Sequence, residues 1–129
     1  MTRIFLTYAE GDDAFRDKLI SQARISKLPV EFFHMTTKMP WVPNWKGACR
    51  ARVFQCDGAI VLVTKKTPEG NGIKSELEFV CEAQLPVLGV SLDQAQGSMP
   101  EQVRDSPLIG WNWAEIARFI QSLSESVAG

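Results

Sequence analysis

The chain has 129 residues, 45% of them hydrophobic, which suits one globular domain over 1–129 with a sizeable core. Its 14 basic and 15 acidic residues leave a formal net charge of -1, so the concentrated positive charge of a phosphate-backbone binder is missing and nucleic acid is not an expected partner. Three cysteines (Cys49, Cys56, Cys81) without CxxC spacing and a single histidine, His34, suggest neither a disulfide framework nor a zinc site, but buried thiols in a reducing cytoplasm.

In chain order, Arg3 to Tyr8 is a near-continuous apolar and aromatic run, as expected of a strand buried on both faces of a parallel sheet. It is too short for a signal peptide or a membrane span, and no later stretch reaches bilayer length, so a cytoplasmic protein with no membrane partner is expected. Gly11 breaks the strand, Asp12 is the expected cap, and Phe15, Leu19, Ile20 and Ala23 recur at helical spacing to about Ser26. Leu28-Pro29 is expected to end that helix. Val30 to Phe33 reads as a second strand closed by His34. Met35 to Asn44 holds two prolines and Trp41 without any period and reads as a loop, with Asn44 as the cap of a helix over Trp45 to Gln55.

Asp57-Gly58 turns the chain into an apolar strand, Ala59 to Val63. A polar loop follows, then a helix carrying Glu76, Glu78 and Glu82, and a strand from Leu85 to Val90 with its proline near the start, where a missing donor costs least. Ser91 to Pro107 reads as a loop with one short helical turn around Glu101 to Arg104. Leu108 to Trp111 is a weak fifth strand, Asn112 a cap, and Ile116, Phe119, Ile120 and Leu123 the stripe of a last helix with a frayed tail from Ser124 to Gly129. Strands alternating with helices predict an α/β three-layer domain around a parallel sheet of about five strands. Ligands of such sheets sit beyond the carboxyl ends of the strands, which points to the loops Ala9 to Asp13, His34 to Asn44, Thr64 to Gly72 and Ser91 onward.

Periodicity then separates the three glutamates. At about 100° per residue, Ile73, Leu77, Phe79, Val80 and Ala83 make one apolar arc; Glu76 projects from within it, and Glu78 and Glu82 point away. An inward carboxylate near a helix start has to be compensated, by a buried cation such as Arg52, by capping local backbone donors, or by a cleft that brings it a polar ligand. Tyr8 at a strand end and Trp41 in a loop are further contact candidates, Phe33 reads as core, and His34, with no paired Cys or Ser at recognisable spacing, reads as structural or incidental. No P-loop, GxGxxG fingerprint or GxSxG elbow is present, which sets aside Walker, Rossmann redox and α/β-hydrolase chemistry.

RIFLTYAEGDDAF resembles the first strand and acidic loop of TIR domains, and AIVLVTKKTPEGNGIKSELEFVCEAQLPVLGV resembles their later strand, polar loop, glutamate helix and proline-containing strand. The Trp-led helix after Asn44 also fits, and the compact bacterial TIR-like proteins of the Thoeris anti-phage type are the nearest match. The resemblance implies a flavodoxin-like three-layer fold and an enzyme that cleaves the nicotinamide-ribose bond of NAD, giving ADP-ribose or a cyclic ADP-ribose-type signal for a separate effector protein. It implies Glu76 as the catalytic residue, with Tyr8, Ala9, Phe33, Trp41, Trp45 and Gly72 around the substrate, NAD as substrate with no permanently bound cofactor or metal, and self-association through TIR surfaces. Active members carry a tryptophan four positions before the glutamate; Gly72 stands there, so Trp41 or Trp45 is the candidate aromatic wall.

The chemistry suits one carboxylate: loss of neutral nicotinamide leaves positive charge on the ribose, which a nearby glutamate stabilises. Two alternatives stay open, a non-catalytic scaffold module of the same fold and a nucleoside deoxyribosyltransferase-like enzyme. The state of Glu76 discriminates: an open cleft beside Tyr8 and the Met35 to Asn44 loop is expected of an enzyme, whereas a sealed salt bridge counts strongly against catalysis.

Overall fold

The computed structural model describes residues 1–92 and 98–128. The strands β1 (Thr2–Thr7), β2 (Val30–Phe33), β3 (Gly58–Val63), β4 (Val87–Ser91) and β5 (Leu108–Gly110) form one sheet, all parallel, in the order β2-β1-β3-β4-β5. Between them run α1 (Asp13–Ile25), α2 (Pro43–Val53) and α3 (Ile73–Glu82), and α4 (Trp113–Ala128) closes the chain.

The unbroken apolar runs seen in the sequence are explained by the two faces of this sheet. Side chains alternate along a strand, so Phe5, Ala59, Val61 and Val63 face α2 and α3, packing on Trp45, Cys49, Val53, Leu77 and Val80. Ile4, Leu6, Ile60, Leu62 and Val90 face the other way, onto Phe15 and Leu19 of α1 and Ile116, Ile120 and Leu123 of α4. Both faces are covered by helices, which gives the expected three-layer, flavodoxin-like α/β sandwich.

Boundaries differ from expectation where a tertiary contact outweighs a local signal. Asp12 occupies the N-cap of α1 but makes no side-chain cap bond; its carboxylate instead accepts from Thr64 Oγ1 at 2.6 Å and lies 3.8 Å from Lys66 Nζ, joining the loops after β1 and β3. Helix α2 starts at Pro43, with Val42 and not Asn44 as its N-cap, since a proline at the first helical position forfeits no hydrogen bond. Helix α1 ends at a left-handed Lys27, before the Leu28-Pro29 signal is reached. Strand β4 begins after Pro86, whose carbonyl still accepts from Ala59 N at 2.9 Å. The turn Glu101–Val103 and the Asn112 cap, which accepts from Glu115 N at 3.1 Å, are as expected. Helix α4 continues through Ala128 where a frayed tail was expected, while Gly129, and Asp93 to Gly97 of the expected long loop, lie outside the described residues. Among the described residues no helix is long and apolar enough to cross a membrane.

Candidate functional site

Strand order reverses between β1 and β3, since the chain moves from β1 outward to β2 and returns to build β3, β4 and β5 on the other side. The adjoining loops splay apart at the carboxyl ends of such a pair and leave a crevice. Thr7 and Tyr8 sit at the end of β1, Thr64 follows β3, and Gly72 opens α3 beside them.

Glu76 lies in the first turn of α3, on the face turned toward this crevice, and is fully buried. Its Oε2 accepts a 2.7 Å hydrogen bond from Lys38 Nζ, and the two side chains are 0% and 1% exposed. The same ammonium stands 4.3 Å from the centroid of the Tyr8 ring. Tyr8 belongs to the α1 face of the sheet and Glu76 to the α3 face. Lys38 therefore lies across the end of β1, touching a group from each layer.

The expected open cleft is thus corrected: Glu76 is sealed in a salt bridge, and its partner is Lys38, not Arg52. Arg52 is exposed and spends its guanidinium on the loop, donating to the His34 carbonyl at 3.0 Å and to Met35 Sδ at 3.0 Å. Burial pushes the Glu76 carboxyl up to about 7, opposed by the nearby Lys38 charge and its hydrogen bond and least by the Thr7 hydroxyl. That last influence falls short of a hydrogen bond, for Glu76 Oε1 and Thr7 Oγ1 are both buried without a partner.

Trp45 completes the enclosure. Its indole donates to the Thr37 carbonyl, and its ring edge comes within 2.9 Å of where a Cβ would stand on Gly72, with Glu76 Oε2 3.4 Å from that same point. Gly72 is left-handed, at φ +81°. The position that carries tryptophan in the resembled family is thus filled from α2, and of the two candidate walls it is Trp45 that stands beside Glu76.

The remaining expected residues divide. Tyr8 is buried: its hydroxyl accepts from Arg16 at 2.9 Å and lies 3.0 Å from His34 Nδ1 and 3.4 Å from the Met35 carbonyl. Desolvation raises its pKa despite Arg16, and burial with Arg16, Lys38 and Arg52 nearby lowers that of His34, whose contacts with Tyr8 and Arg52 fit the structural reading of that residue. Ala9 is buried against Gly70. Phe33 is half-buried and lines an outer hollow with His34, Arg52 and Gln55, apart from Glu76. Trp41 is 66% exposed and contributes nothing to the enclosure. Cys49 and Cys56 are buried, with pKa values pushed up to about 12, but Cys81, expected inside, is exposed on α3.

Lys38 is the residue that the sequence reading missed. A signal existed, because it is the only charged residue between Met35 and Asn44, in a loop assigned to the same end of the sheet as an inward carboxylate that needs a cation. Beyond it, a hollow of about 200 Å³ lined by Tyr8, Glu10, Gly11, Asp13, Thr36, Thr37 and Lys38 opens to the surface; Glu76 does not line it.

No family model matches the chain, and no curated protein matches it. Among solved structures it is similar to a prokaryotic SEFIR domain, at TM-score 0.57 and 15% identity over 93% of this chain and 92% of that one. It is also similar to a 3-dehydroquinate dehydratase-like protein from Bifidobacterium longum, at 0.54 and 12% over 98% of each chain. A diflavin flavoprotein from Nostoc sp. follows at 0.53 and 12%, over 95% and 88%. At these identities the likeness is one of fold alone, a flavodoxin-like α/β sandwich.

Proposed function

We propose that this chain is a TIR-like association module, which joins copies of itself through the loop between β2 and α2 and does not cleave NAD in the conformation described. The observation that carries this reading is the Lys38–Glu76 pair, 2.7 Å apart and closed to solvent, which occupies the one carboxylate the chemistry requires. The same loop presents Met39, 38% exposed, and Trp41, 66% exposed, beside Pro43. Large apolar groups held outward on a braced loop are the kind that anchor protein contacts.

The second reading is the NAD-cleaving enzyme of anti-phage defence, and one feature favours it: a buried carboxylate with a free Oε1 stands next to an aromatic wall, Trp45. Turnover then requires Lys38 to withdraw, so that Glu76 can stabilise the developing ribose cation while nicotinamide leaves neutral. Incubating purified protein with NAD, alone and with candidate partner proteins, and weighing the products separates the two. The association reading expects no nicotinamide, together with concentration-dependent self-association that Trp41→Ser abolishes in sedimentation velocity. Release of nicotinamide that Glu76→Gln eliminates would replace it by the enzymatic reading; turnover of deoxynucleosides without NAD cleavage would favour deoxyribosyl transfer.

A further inference from the structure

We propose that the open edge of β2 is a docking site for an extended, acidic segment of another protein, which pairs with it as an additional strand of the sheet. The site lies apart from the Lys38–Glu76 enclosure and requires neither reading of it.

The backbone sets the first condition. Among the described residues β2 pairs with β1 and with no other strand. Thr2, opposite Val30, donates its N–H to the Pro29 carbonyl at 3.4 Å, so β1 is served by the peptide groups of Pro29, Glu31 and Phe33. These groups alternate in direction along a strand, which turns the N–H and C=O of Val30 and Phe32 to the open side. Edges of this kind are ordinarily blunted by an unpaired charge, a bulge or a covering element. Here the register with β1 is unbroken, and Glu31, the one charge on the strand, is already met by Arg3 at 3.5 Å. The opposite edge, β5, offers only three residues.

The flanks set the second condition. Side chains of an added strand alternate between the two faces of the sheet, and β2 has a hollow of about 420 Å³ on each. On the α1 face, Ile20, Leu28, Val30 and Phe32 form an apolar floor with Arg24 and Lys27 beside it. Both cations are exposed and lack an ion pair among the described residues. On the α2 face stands Arg52, which spends only Nη1 on the His34 carbonyl and the Met35 sulfur and keeps Nε and Nη2 for a carboxylate. No acidic residue among those described lines either hollow. The occupant that fits is a strand with apolar side chains toward α1 and carboxylates toward Arg52, Arg24 and Lys27. Main-chain bonds then supply affinity, and the hollows select the sequence. A second copy of this edge fits less well, because it brings the same cations against these.

The probe is a short, capped peptide of alternating valine and glutamate, compared with the same peptide carrying lysine in place of glutamate. Titrated into the wild-type chain and followed by heteronuclear NMR, the glutamate peptide should give saturable shifts centred on 30–33, and the lysine peptide none. Hydrogen exchange carries the sharper signature: at saturation the Val30 and Phe32 amides should slow by about tenfold or more, while those of Glu31 and Phe33, already bonded to β1, change least. In Arg24→Glu/Lys27→Glu, two exposed positions outside the core, the Kd for the glutamate peptide should rise about tenfold or more. Absence of saturable shifts, equal binding of the two peptides, a Kd unmoved by the charge reversal, or slowed exchange at 108–110 in place of 30–33 would each overturn the proposal. Slowing of the Val30 and Phe32 amides with protein concentration alone would overturn it in favour of a second copy. These readouts use neither NAD nor the self-association that depends on Trp41, so a failure here and a failure of either functional reading are told apart.

Discussion

At the scale of single residues, the molecule turns on one carboxylate and one ammonium removed from water together. Removing one partner of a buried pair strands the other, so Lys38→Met should cost about 3–5 kcal/mol in urea unfolding, whereas Lys38→Met/Glu76→Leu should recover most of that loss. Additive losses would show that the two do not face each other. The carboxyl also ties stability to pH. Its pKa rises from 4.5 to about 7 on folding, so the folded chain holds that proton more tightly. The stabilisation from protonating Glu76 is therefore complete below about 4.5 and lost as pH rises through about 7. Relative to Glu76→Gln, the wild type should lose about 3 kcal/mol of unfolding free energy between pH 4.5 and 8. His34 acts in the opposite sense: its lowered pKa weakens folding as pH falls below 6.5. That effect is common to both chains and cancels in the comparison.

At the scale of elements, two helix ends share a device that no composition signal announced. Helices α1 and α3 both stop at a non-glycine residue in the left-handed region, Lys27 at φ 56° and Gln84 at φ 55°. In each, the following residue reaches back to close the helix, Leu28 N to Ala23 O at 3.1 Å and Leu85 N to Val80 O at 3.2 Å. A side chain in that conformation carries a steric cost that glycine avoids, so Lys27→Gly and Gln84→Gly should each stabilise the chain by about 0.5–1 kcal/mol in chemical denaturation. A loss of stability would mean that these side chains contribute packing worth more than the strain. Gly72 shows the opposite arrangement at the start of α3, where glycine stands at φ +81° with Trp45 against its missing side chain. That packing gives a local reason why a tryptophan has no room there while Trp45 is in place.

Over the whole molecule, two apolar faces of one sheet carry the fold, and each is sealed by a helix pair. Ile120 of α4 is 1% exposed and belongs to the α1–α4 face, so Ile120→Ala should cost about 2–5 kcal/mol. A calorimetric or denaturant shift well below that range would show that α4 is only loosely applied. The element order, the doubly covered sheet and the inward direction of Glu76 were all legible in the sequence, because strand runs and a 3.6-residue arc are local patterns read along the chain. Glu76 could be separated from Glu78 and Glu82 on that basis alone, and the two faces of the sheet could be anticipated from unbroken apolar strands. The cation that meets Glu76 could not be assigned, since Lys38 lies 38 positions away in a loop without period, and only the crossing of that loop over the end of β1 brings the two together. Trp45, Asp12 and Arg52 took their places for the same reason: each answers to a partner distant in sequence, on another element, and no local pattern encodes that proximity. The sequence by itself determined that one carboxylate would point inward near the end of the sheet; tertiary structure decided that it is buried, with an internal lysine, held over the Tyr8 ring, standing against it.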